Sequence, residues 1–302
     1  MVSSTGRALA ARPVLALALL CALGTGCGRS SRATTTAHTA APAKPRPPRA
    51  GLRIGLVGPL DVHVPGAIAE HGTLDQVAGD ALVVVSAQVA DAPAVAAAAD
   101  AHPATHFALV GASSRGHRRP NLVGLVLDEH QVALLGGVVA GLVAGEQGGQ
   151  EARVAWVGPQ ERALAAAYAR GAQEVRPGTT ILRAWSPGRP AACKEAALGA
   201  IDRGAVAVMA HRGTCADAAV AGAHQQNRVG LRVSDFEFPE VPAESVVRDA
   251  VAGVYRGGED LVFDAASGAI GVRRLDARIP PDIAVRARTA AQQLAGGLRP
   301  AP

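Results

Sequence analysis

Side chains that could bind a small polar molecule follow several short apolar runs in this sequence. His211 and Arg212 come directly after one run, and Ser234, Asp235 and Phe236 come after another. A guanidinium fork suits a carboxylate or a phosphate, and an aromatic ring can stack on a flat ligand. The pattern therefore predicts a ligand-binding site. The structural alternatives are a salt-bridged arginine and a phenylalanine that packs beneath a chain crossover.

The positions of the predicted strands extend this candidate set. In open α/β sheets, ligands bind beyond the carboxyl ends of the strands, so the residues after each strand are candidates. The others are Asp61, His63, Ser86, Gln88, Ser113, Ser114, Pro159 and Glu161. Phe236 is the preferred stacking ring, and Phe238 and Trp185 are the other aromatic residues at a predicted edge.

Sequence motifs for catalysis and cofactor binding are missing. The segment Gly111–Gly116 is not a nucleophile elbow, because its second glycine is misplaced. The sequence contains no Gly-x-Gly-x-x-Gly, no phosphate-binding loop and no His-Glu-x-x-His. We therefore predict no enzymatic activity, no catalytic residue, no cofactor and no metal.

The four cysteines fall into two pairs along the chain. Cys21 and Cys27 lie near the amino terminus, whereas Cys193 and Cys215 lie in the body. In an exported chain, an even pair of cysteines predicts a disulfide. A metal site that includes His211 is the alternative, but structural zinc takes four ligands and the sequence offers no evident fourth.

The amino-terminal segment predicts export and a lipid anchor. Two arginines precede the apolar run Pro13–Leu23, which is too short to span a bilayer and suits a secretory signal. Small residues then lead to Cys27 in an arrangement that resembles a bacterial lipobox, although a glycine stands where leucine is preferred. We predict a signal peptide over 1–26, lipidation of Cys27 and a location on the outer face of the cell membrane. Cleavage near Ala41–Ala43, which would give a secreted protein, is the alternative.

Charge is distributed unevenly along the chain. Of the 30 basic and 25 acidic residues, seven basic and no acidic ones fall in residues 1–50, which leaves the rest of the chain with a net charge of −2. Such a body offers no surface that neutralises phosphates, so we predict no nucleic-acid partner. Residues 27–50 are rich in Ser, Thr, Ala and Pro and are predicted to form a flexible tether.

From residue 51 onward, short apolar runs alternate with alanine-rich helical stretches. Continuous apolar runs are typical of parallel strands covered on both faces, and the alternation predicts doubly wound α/β sheets. The predicted strands are Leu52–Val57, Ala81–Ser86, His106–Val110, Leu122–Leu127, Ala152–Val157, Thr180–Trp185, Val206–Ala210 and Gly230–Val233. Helices are predicted near 66–72, 91–101, 129–145, 160–175, 190–203, 214–227, 243–256 and 280–296.

About 250 residues of this alternation suit two lobes better than one core. We predict a first lobe over 51–145, to which 243–258 returns and for which 281–298 is a further candidate. The second lobe is predicted over 151–240, with a β-hairpin over 261–275.

The helix predicted over 129–145 is the longest uncharged stretch of the body. It contains Val132–Ala144, whose glycines suggest close packing against a neighbour, and we predict that it packs inside the first lobe. The break between the lobes is predicted at Gly145–Glu151, which is polar and rich in glycine.

Three stretches of the sequence resemble one family of binding proteins. They are Asp128-Glu-His-Gln-Val-Ala-Leu-Leu-Gly136 after two strands, Val154-Ala-Trp-Val-Gly-Pro159, and the segment that carries Cys193 and Cys215. Together they resemble the basic membrane protein family, the substrate-binding lipoproteins of ABC transporters of the purine-nucleoside receptor type. The resemblance covers roughly residues 105–280. It implies two α/β lobes joined by a hinge, as in type I periplasmic binding proteins, with a ligand held between them.

Departures from that family concern the residues that hold the ligand. The family's Gly-Asp-Phe-Asn segment after the first strand is replaced by Gly58–Gly66, which offers Asp61 and no aromatic ring. The family's glutamate near the start of the helix at 129 falls at or beside His130, and its lysine in Ser-Val-x-Lys corresponds to Arg248. The resemblance implies that His130 and Arg248 belong to the ligand site with the residues named above.

These observations predict a lipid-anchored, extracytoplasmic solute-binding protein of an ABC transporter. Its ligand would be a nucleoside or another small polar molecule held between the lobes, and its partners would be a permease and the membrane. The alternative is a degenerate scaffold that has lost its ligand and acts as a surface sensor or an interaction module. The shortened segment after the first strand favours this alternative.

Overall fold

A computed structural model describes residues 51–298, which form ten strands, eight α-helices and one 3₁₀ helix. The strands are β1 (Leu52–Val57), β2 (Ala67–His71), β3 (Leu82–Ser86), β4 (His106–Val110), β5 (Leu122–Leu127), β6 (Arg153–Gly158), β7 (Thr180–Trp185), β8 (Ala205–Ala210), β9 (Val229–Arg232) and β10 (Asp260–Phe263). The helices are α1 (Leu74–Val77), α2 (Ala92–Ala101), α3 (Glu129–Gln147), α4 (Arg162–Val175), α5 (Pro190–Asp202), α6 (Gly213–Gln225), the 3₁₀ helix (Val233–Phe236), α7 (Glu240–Val251) and α8 (Pro281–Ala295).

The strands form two separate parallel sheets. The first sheet has the order β10-β5-β4-β3-β1-β2, and the second has the order β7-β6-β8-β9. All of the strand pairs in these sheets are parallel. The eight predicted strands are present, each within one residue of its predicted bounds. The predicted fold class of two doubly wound α/β lobes is thereby confirmed.

The connection between β1 and β2 differs from the prediction. A helix was predicted over 66–72, but the segment is β2, which pairs in parallel with β1. Leu52 lies opposite Ala67 at one end of this pairing, and Leu56 lies opposite His71 at the other. The prediction was wrong because β2 is an edge strand with little burial on either face, so it lacks an apolar pattern. In the preceding loop, Leu60 and Val62 are buried against the first sheet, in place of a helix.

The predicted hairpin over 261–275 is also wrong. β10 pairs in parallel with β5 and so completes the first sheet. The segment after it contributes only an isolated antiparallel bridge, between Ile270 and Glu237. The apolar residues of 268–274 pack on the second lobe's core instead of on β10.

Helix α3 belongs to the second lobe, contrary to the prediction. Its buried residues share one core with α4, β6 and β8. The backbones of α3 and α4 touch, because a Cβ at Gly137 would lie 2.0 Å from the carbonyl oxygen of Tyr168, and one at Gly171 would lie 2.0 Å from that of Leu134. The chain therefore passes between the lobes at Asp128, before α3, and not at 145–151.

The last two helices pack on different lobes. α7 packs on the first sheet through Ala243, Val246 and Val247. The chain then forms β10 and returns, so that α8 buries Ile283 and Ala287 in the core of the second lobe. The candidate placement of 281–298 in the first lobe is therefore wrong. Three crossings connect the lobes: at Asp128, near Glu237 and over 264–280.

The predicted disulfide is confirmed. Cys193 in α5 and Cys215 in α6 are joined, with their Cα atoms 5.4 Å apart. Both sulfurs lie in the core that α5 and α6 form with the second sheet. Because both sulfurs are in the disulfide, neither can act as a thiolate ligand in the alternative metal site with His211.

The predicted signal peptide, the tether and the lipidation site at Cys27 lie outside the described residues. Between residues 51 and 298, none of the helices has the length and apolarity needed to cross a membrane.

Candidate functional site

Arg212 connects the crossings between the lobes. It precedes α6, and its side chain reaches Glu129 at the start of α3 and Glu237 after the 3₁₀ helix. Its Nη1 and Nη2 donate to the two oxygens of Glu237 at 3.0 and 2.5 Å, and its Nε donates to Glu129 Oε1 at 3.1 Å. The guanidinium therefore links two of the crossings directly, and the backbone of Glu237 forms an antiparallel bridge with Ile270 in the third.

Burial and charge act in opposite directions in this cluster. Burial lowers the pKa of Arg212, but the carboxylates of Glu237 and Glu129 outweigh it and raise that pKa. Burial raises the pKa of Glu237. The positive charge of Arg212 partly opposes this increase, and the negative charge of Glu129 adds to it. Two carboxyl groups therefore face one guanidinium in this cluster.

His211 and Glu161 form a second polar pair at the carboxyl edge of the second sheet. His211 follows β8, and Glu161 directly precedes α4. His211 Nε2 and Glu161 Oε2 lie 3.1 Å apart, but both atoms are buried and lack the alignment of a hydrogen bond. The histidine ring also lies 6.2 Å from the ring of Trp156, centroid to centroid.

Three neighbouring residues lie across this edge from β7 to β8: Trp185, Gly158 and His211. Trp185 at the end of β7 pairs with Gly158 at the end of β6. On the other side, a Cβ at Gly158 would lie 2.9 Å from His211 Cβ, so only glycine fits between these neighbours. Trp185 is 37% exposed at this edge.

At the ends of β1 and β3, the carboxyl edge of the first sheet is lined by small groups. A Cβ at Gly58, after β1, would lie 2.9 Å from Ser86 Cβ and 3.0 Å from Val89 Cγ2, and its φ is +98°. Val89 is exposed and Ser86 is buried. The first wall is therefore small and uncharged at β1 and β3, whereas Asp128 and Asp264 follow β5 and β10 at the same edge. The second wall carries an aromatic ring and ionic groups.

Three residues predicted to bind a ligand are exposed and have partners close to them in sequence. Asp61 is highly exposed and lies 3.4 Å from His63, in the loop that covers the first sheet. His130 is exposed on α3, where its backbone N–H donates to the capping carboxylate of Asp128. Arg248 is exposed on α7 and donates to the carbonyl oxygen of Glu244 in its own helix.

Most residues of the 3₁₀ helix contact the protein itself and do not form a surface for a ligand. Ser234 is exposed, whereas Asp235 is buried and accepts a hydrogen bond from Arg232 N–H at 2.8 Å. Phe236 is 0% exposed within the second lobe's core. A ring without an exposed face cannot stack on a ligand, so the stacking role predicted for Phe236 is not retained.

Of the predicted site residues, the structure brings His211 and Arg212 together with Glu161, which was among the strand-end candidates. It adds Glu129 and Glu237 to them. The sequence places Glu129 just after a predicted strand, but it carries no signal that Glu129 or Glu237 pairs with Arg212. Among residues 51–298, no group of three His, Cys, Asp or Glu side chains could hold a metal ion.

Two surface grooves lie on the first lobe, away from this edge. One, at the amino ends of β1 and β3, includes Arg53 and Asp80 in its lining. The other lies between the β1–β2 loop and α7, with Val62, His63 and Val247 among its lining residues.

Comparison with solved structures identifies the fold. A solute-binding protein of an ABC transporter system from Conexibacter woesei superimposes with a TM-score of 0.53 at 18% identity, over 82% of this chain and 97% of that one. A second, from Aeropyrum pernix, gives 0.50 at 16% identity, over 82% and 81% of the two chains. A transcriptional activator of the comK gene from Bacillus halodurans gives 0.60 at 13% identity, over 83% and 100%.

These likenesses show the fold alone. It is the two-lobed α/β fold of type I periplasmic binding proteins. No family model and no curated protein sequence matches the chain.

Proposed function

We propose that this protein is an extracytoplasmic solute-binding protein that holds a small polar ligand between its lobes and presents it to an ABC permease. The ligand would be a nucleoside or a molecule of similar size and polarity, as the sequence resemblance to the basic membrane protein family implies. Lipidation of Cys27 would hold the protein at the outer face of the membrane, with residues 27–50 as its tether.

The observation that carries the proposal is the pair of unlike walls at the carboxyl edges of the two sheets. Ligands of open α/β sheets bind beyond these edges. Three chain crossings join the lobes there, which suits closure of the lobes about a hinge. The second wall offers Trp185, His211 and Glu161, whereas the first offers Ser86 and Val89 beside Gly58.

Two of the similar solved structures are named as solute-binding proteins of ABC transporter systems. Their likeness extends over most of this chain and so includes both lobes. This agreement supports a binding role, in line with the sequence motifs. The absence of a catalytic motif in the sequence is compatible with the same role.

The proposal is tested by measuring the thermal unfolding of the purified full chain with a panel of nucleosides, sugars and amino acids. A ligand stabilises the folded state by RT ln(1 + [L]/Kd), or about 2.7 kcal/mol at a hundredfold excess over Kd. We expect at least one compound to raise the Tm, and calorimetry to give one site per chain. If no compound raises the Tm and mass spectra of the native protein show no bound molecule, the degenerate scaffold is the better description.

A further inference from the structure

We propose that the Cys193–Cys215 disulfide is a reducible bond whose state controls how firmly Arg212 is held between the lobes. The bond joins the first turn of α5 to the first turn of α6, at the carboxyl edge of the second sheet. This redox control goes beyond ligand binding, and it can be tested without a ligand.

The start of α6 is anchored to the second lobe through Cys215. Arg212 precedes the helix, its side chain does not cap it, and Gly213 follows with a φ of +68°. Gly213 and Thr214 are exposed, and a Cβ at Gly213 would have no heavy atom of the described chain within 4 Å. Cys215 is the first buried residue of the helix, and its bond to Cys193 ties this turn to α5. The position of the Arg212 backbone therefore depends on that bond.

A displacement of this turn would act on the crossings between the lobes. Arg212 donates to Glu129 at the start of α3 and to both oxygens of Glu237. A bidentate contact between a guanidinium and a carboxylate requires a defined geometry. Because Cys215 lies three residues after Arg212, movement of the first turn of α6 moves the guanidinium as well. The disulfide is thus a positioning element for the ion cluster, and it acts through the backbone.

The surroundings of the two sulfurs favour the reduced form. Cys193 is the fourth residue of α5 and Cys215 is the third of α6, so a thiolate at either position would lie at the positive end of a helix dipole. The Ser186 hydroxyl, which is 5% exposed, lies 3.1 Å from Cys193 Sγ. It is the donor, because a sulfur in a disulfide carries no proton, and a thiolate would accept from it more strongly. A thiolate that is stabilised leaves a disulfide faster.

Reduction requires a dithiol as the electron donor. One thiolate of the dithiol attacks Sγ of Cys215, the less buried of the two cysteines, and the S–S bond breaks as Cys193 leaves as a thiolate. The second thiolate of the dithiol then attacks the mixed disulfide, and Cys215 leaves. The dithiol is oxidised to a disulfide, while the two cysteines receive two electrons and two protons from it. The exposed turn at Gly213 and Thr214 is where the reductant would enter.

Hydrogen exchange of the full chain, with and without dithiothreitol, tests the link to Arg212. Alkylation and peptide mapping establish that Cys193 and Cys215 are reduced. The amides of Gln131 and Val132 donate to Asp128 O in the first turn of α3. On reduction, we expect them to exchange at least about tenfold faster through local opening, with no change in β3 and β4. In Arg212→Met they should already exchange faster, and reduction should add less than about twofold, because the link is absent.

The rate of reduction by dithiothreitol tests the chemistry of the bond. Ser186→Ala removes the donor to the Cys193 thiolate, so reduction should slow by about tenfold. The matched control is Thr289→Ala, which removes an exposed hydroxyl on α8, a helix that packs on the opposite face of the second sheet. That variant should be reduced at the wild-type rate. A Ser186→Ala variant that is reduced as fast as the wild type would overturn the proposal.

Three results of the exchange experiment would also overturn it. They are unfolding of the whole chain on reduction, faster exchange confined to α5 and α6, and an equal increase at α3 in the wild type and Arg212→Met. Each would leave a disulfide that only stabilises the second lobe. None of them bears on the solute-binding proposal, because no ligand is present. Conversely, a protein that binds no member of the ligand panel would overturn that proposal and leave the redox control intact.

Discussion

Glu237 is a buried carboxyl group at one of the crossings between the lobes. Its side chain is 7% exposed, and the guanidinium of Arg212 holds both of its oxygens. Breaking a buried ion pair by removing one partner is costly, because the other charge is left without compensation. Since Arg212 also donates to Glu129, the pair ties the crossing after the 3₁₀ helix to the first turn of α3.

Replacing Arg212 with methionine should destabilise the protein in a pH-dependent way. We expect a loss of about 3 kcal/mol in the free energy of unfolding at pH 7.5, near the low end for a broken buried pair because Arg212 is one third exposed. Burial already raises the pKa of Glu237 above its unfolded value, and loss of Arg212 raises it further. The loss should therefore grow as pH rises through that raised pKa and shrink as pH falls toward the ordinary carboxyl range. Urea unfolding at several pH values measures it.

The control for this prediction is the double variant Arg212→Met with Glu237→Gln, which removes the buried charge along with its partner. Its stability should recover in part at pH 7.5 and depend less on pH than that of the single variant. A single variant whose deficit is the same at pH 5 and pH 7.5 would show that the ion pair is not the cause.

Arg212 could be predicted from the sequence as a site residue, but its partners could not. It directly follows an apolar strand, which is a local signal. Glu129 and Glu237 lie 83 and 25 residues away, and only the crossings bring them together. Phe236 shows the opposite case, because a short sequence does not reveal which side of a 3₁₀ turn faces the core.

At the scale of elements, the contact between α3 and α4 depends on glycine. Gly137 on α3 meets the backbone of Tyr168, and Gly171 on α4 meets the backbone of Leu134. Backbone cannot give way as a flexible side chain can. The two helices thus pack more closely than side chains with a Cβ would allow, and this contact fixes α3 to the second lobe.

Gly137→Ala should therefore destabilise the protein by about 2–3 kcal/mol, as overpacking does when the neighbours cannot move. The matched control is Gly145→Ala on the same helix, where the new Cβ would have Arg176 Nη1 as its nearest neighbour, at 3.6 Å. That control should be neutral or gain up to about 1 kcal/mol from the better helix propensity of alanine. Chemical unfolding of both variants gives the comparison. Equal stabilities of the two would contradict backbone contact at Gly137.

Most elements could be predicted from the sequence because continuous apolar runs such as Leu82–Ser86 mark strands that are covered on both faces. The lobe to which α3 belongs could not be predicted. Because α3 is apolar around its circumference, no single apolar face indicates which lobe it packs against. β2 was missed for the opposite reason, since an exposed edge strand carries no burial pattern. The carboxyl-edge rule located residues of both walls, namely Glu161 and His211 in the second and Ser86 in the first.

At the scale of the whole molecule, each lobe is completed by a segment that follows the other lobe in sequence. α7 and β10 return to the first lobe after the second sheet has formed. α8 then returns to the second lobe and packs on α3. The lobes therefore have separate cores but an interleaved chain, so neither lobe corresponds to one continuous stretch of sequence.

This arrangement predicts that a mutation near the carboxyl terminus loosens the second lobe. Ile283 on α8 is 0% exposed in that lobe's core, and Ile283→Ala should cost about 2–4 kcal/mol as a large-to-small core substitution. Hydrogen exchange should rise in α3 and β8, which share this core, more than in β3 and β4 of the first sheet. Val285→Ala, at a position 60% exposed on the same helix, should change stability by less than about 0.5 kcal/mol. Faster exchange confined to β3 and β4 in Ile283→Ala would place α8 with the first lobe and contradict the interleaved arrangement.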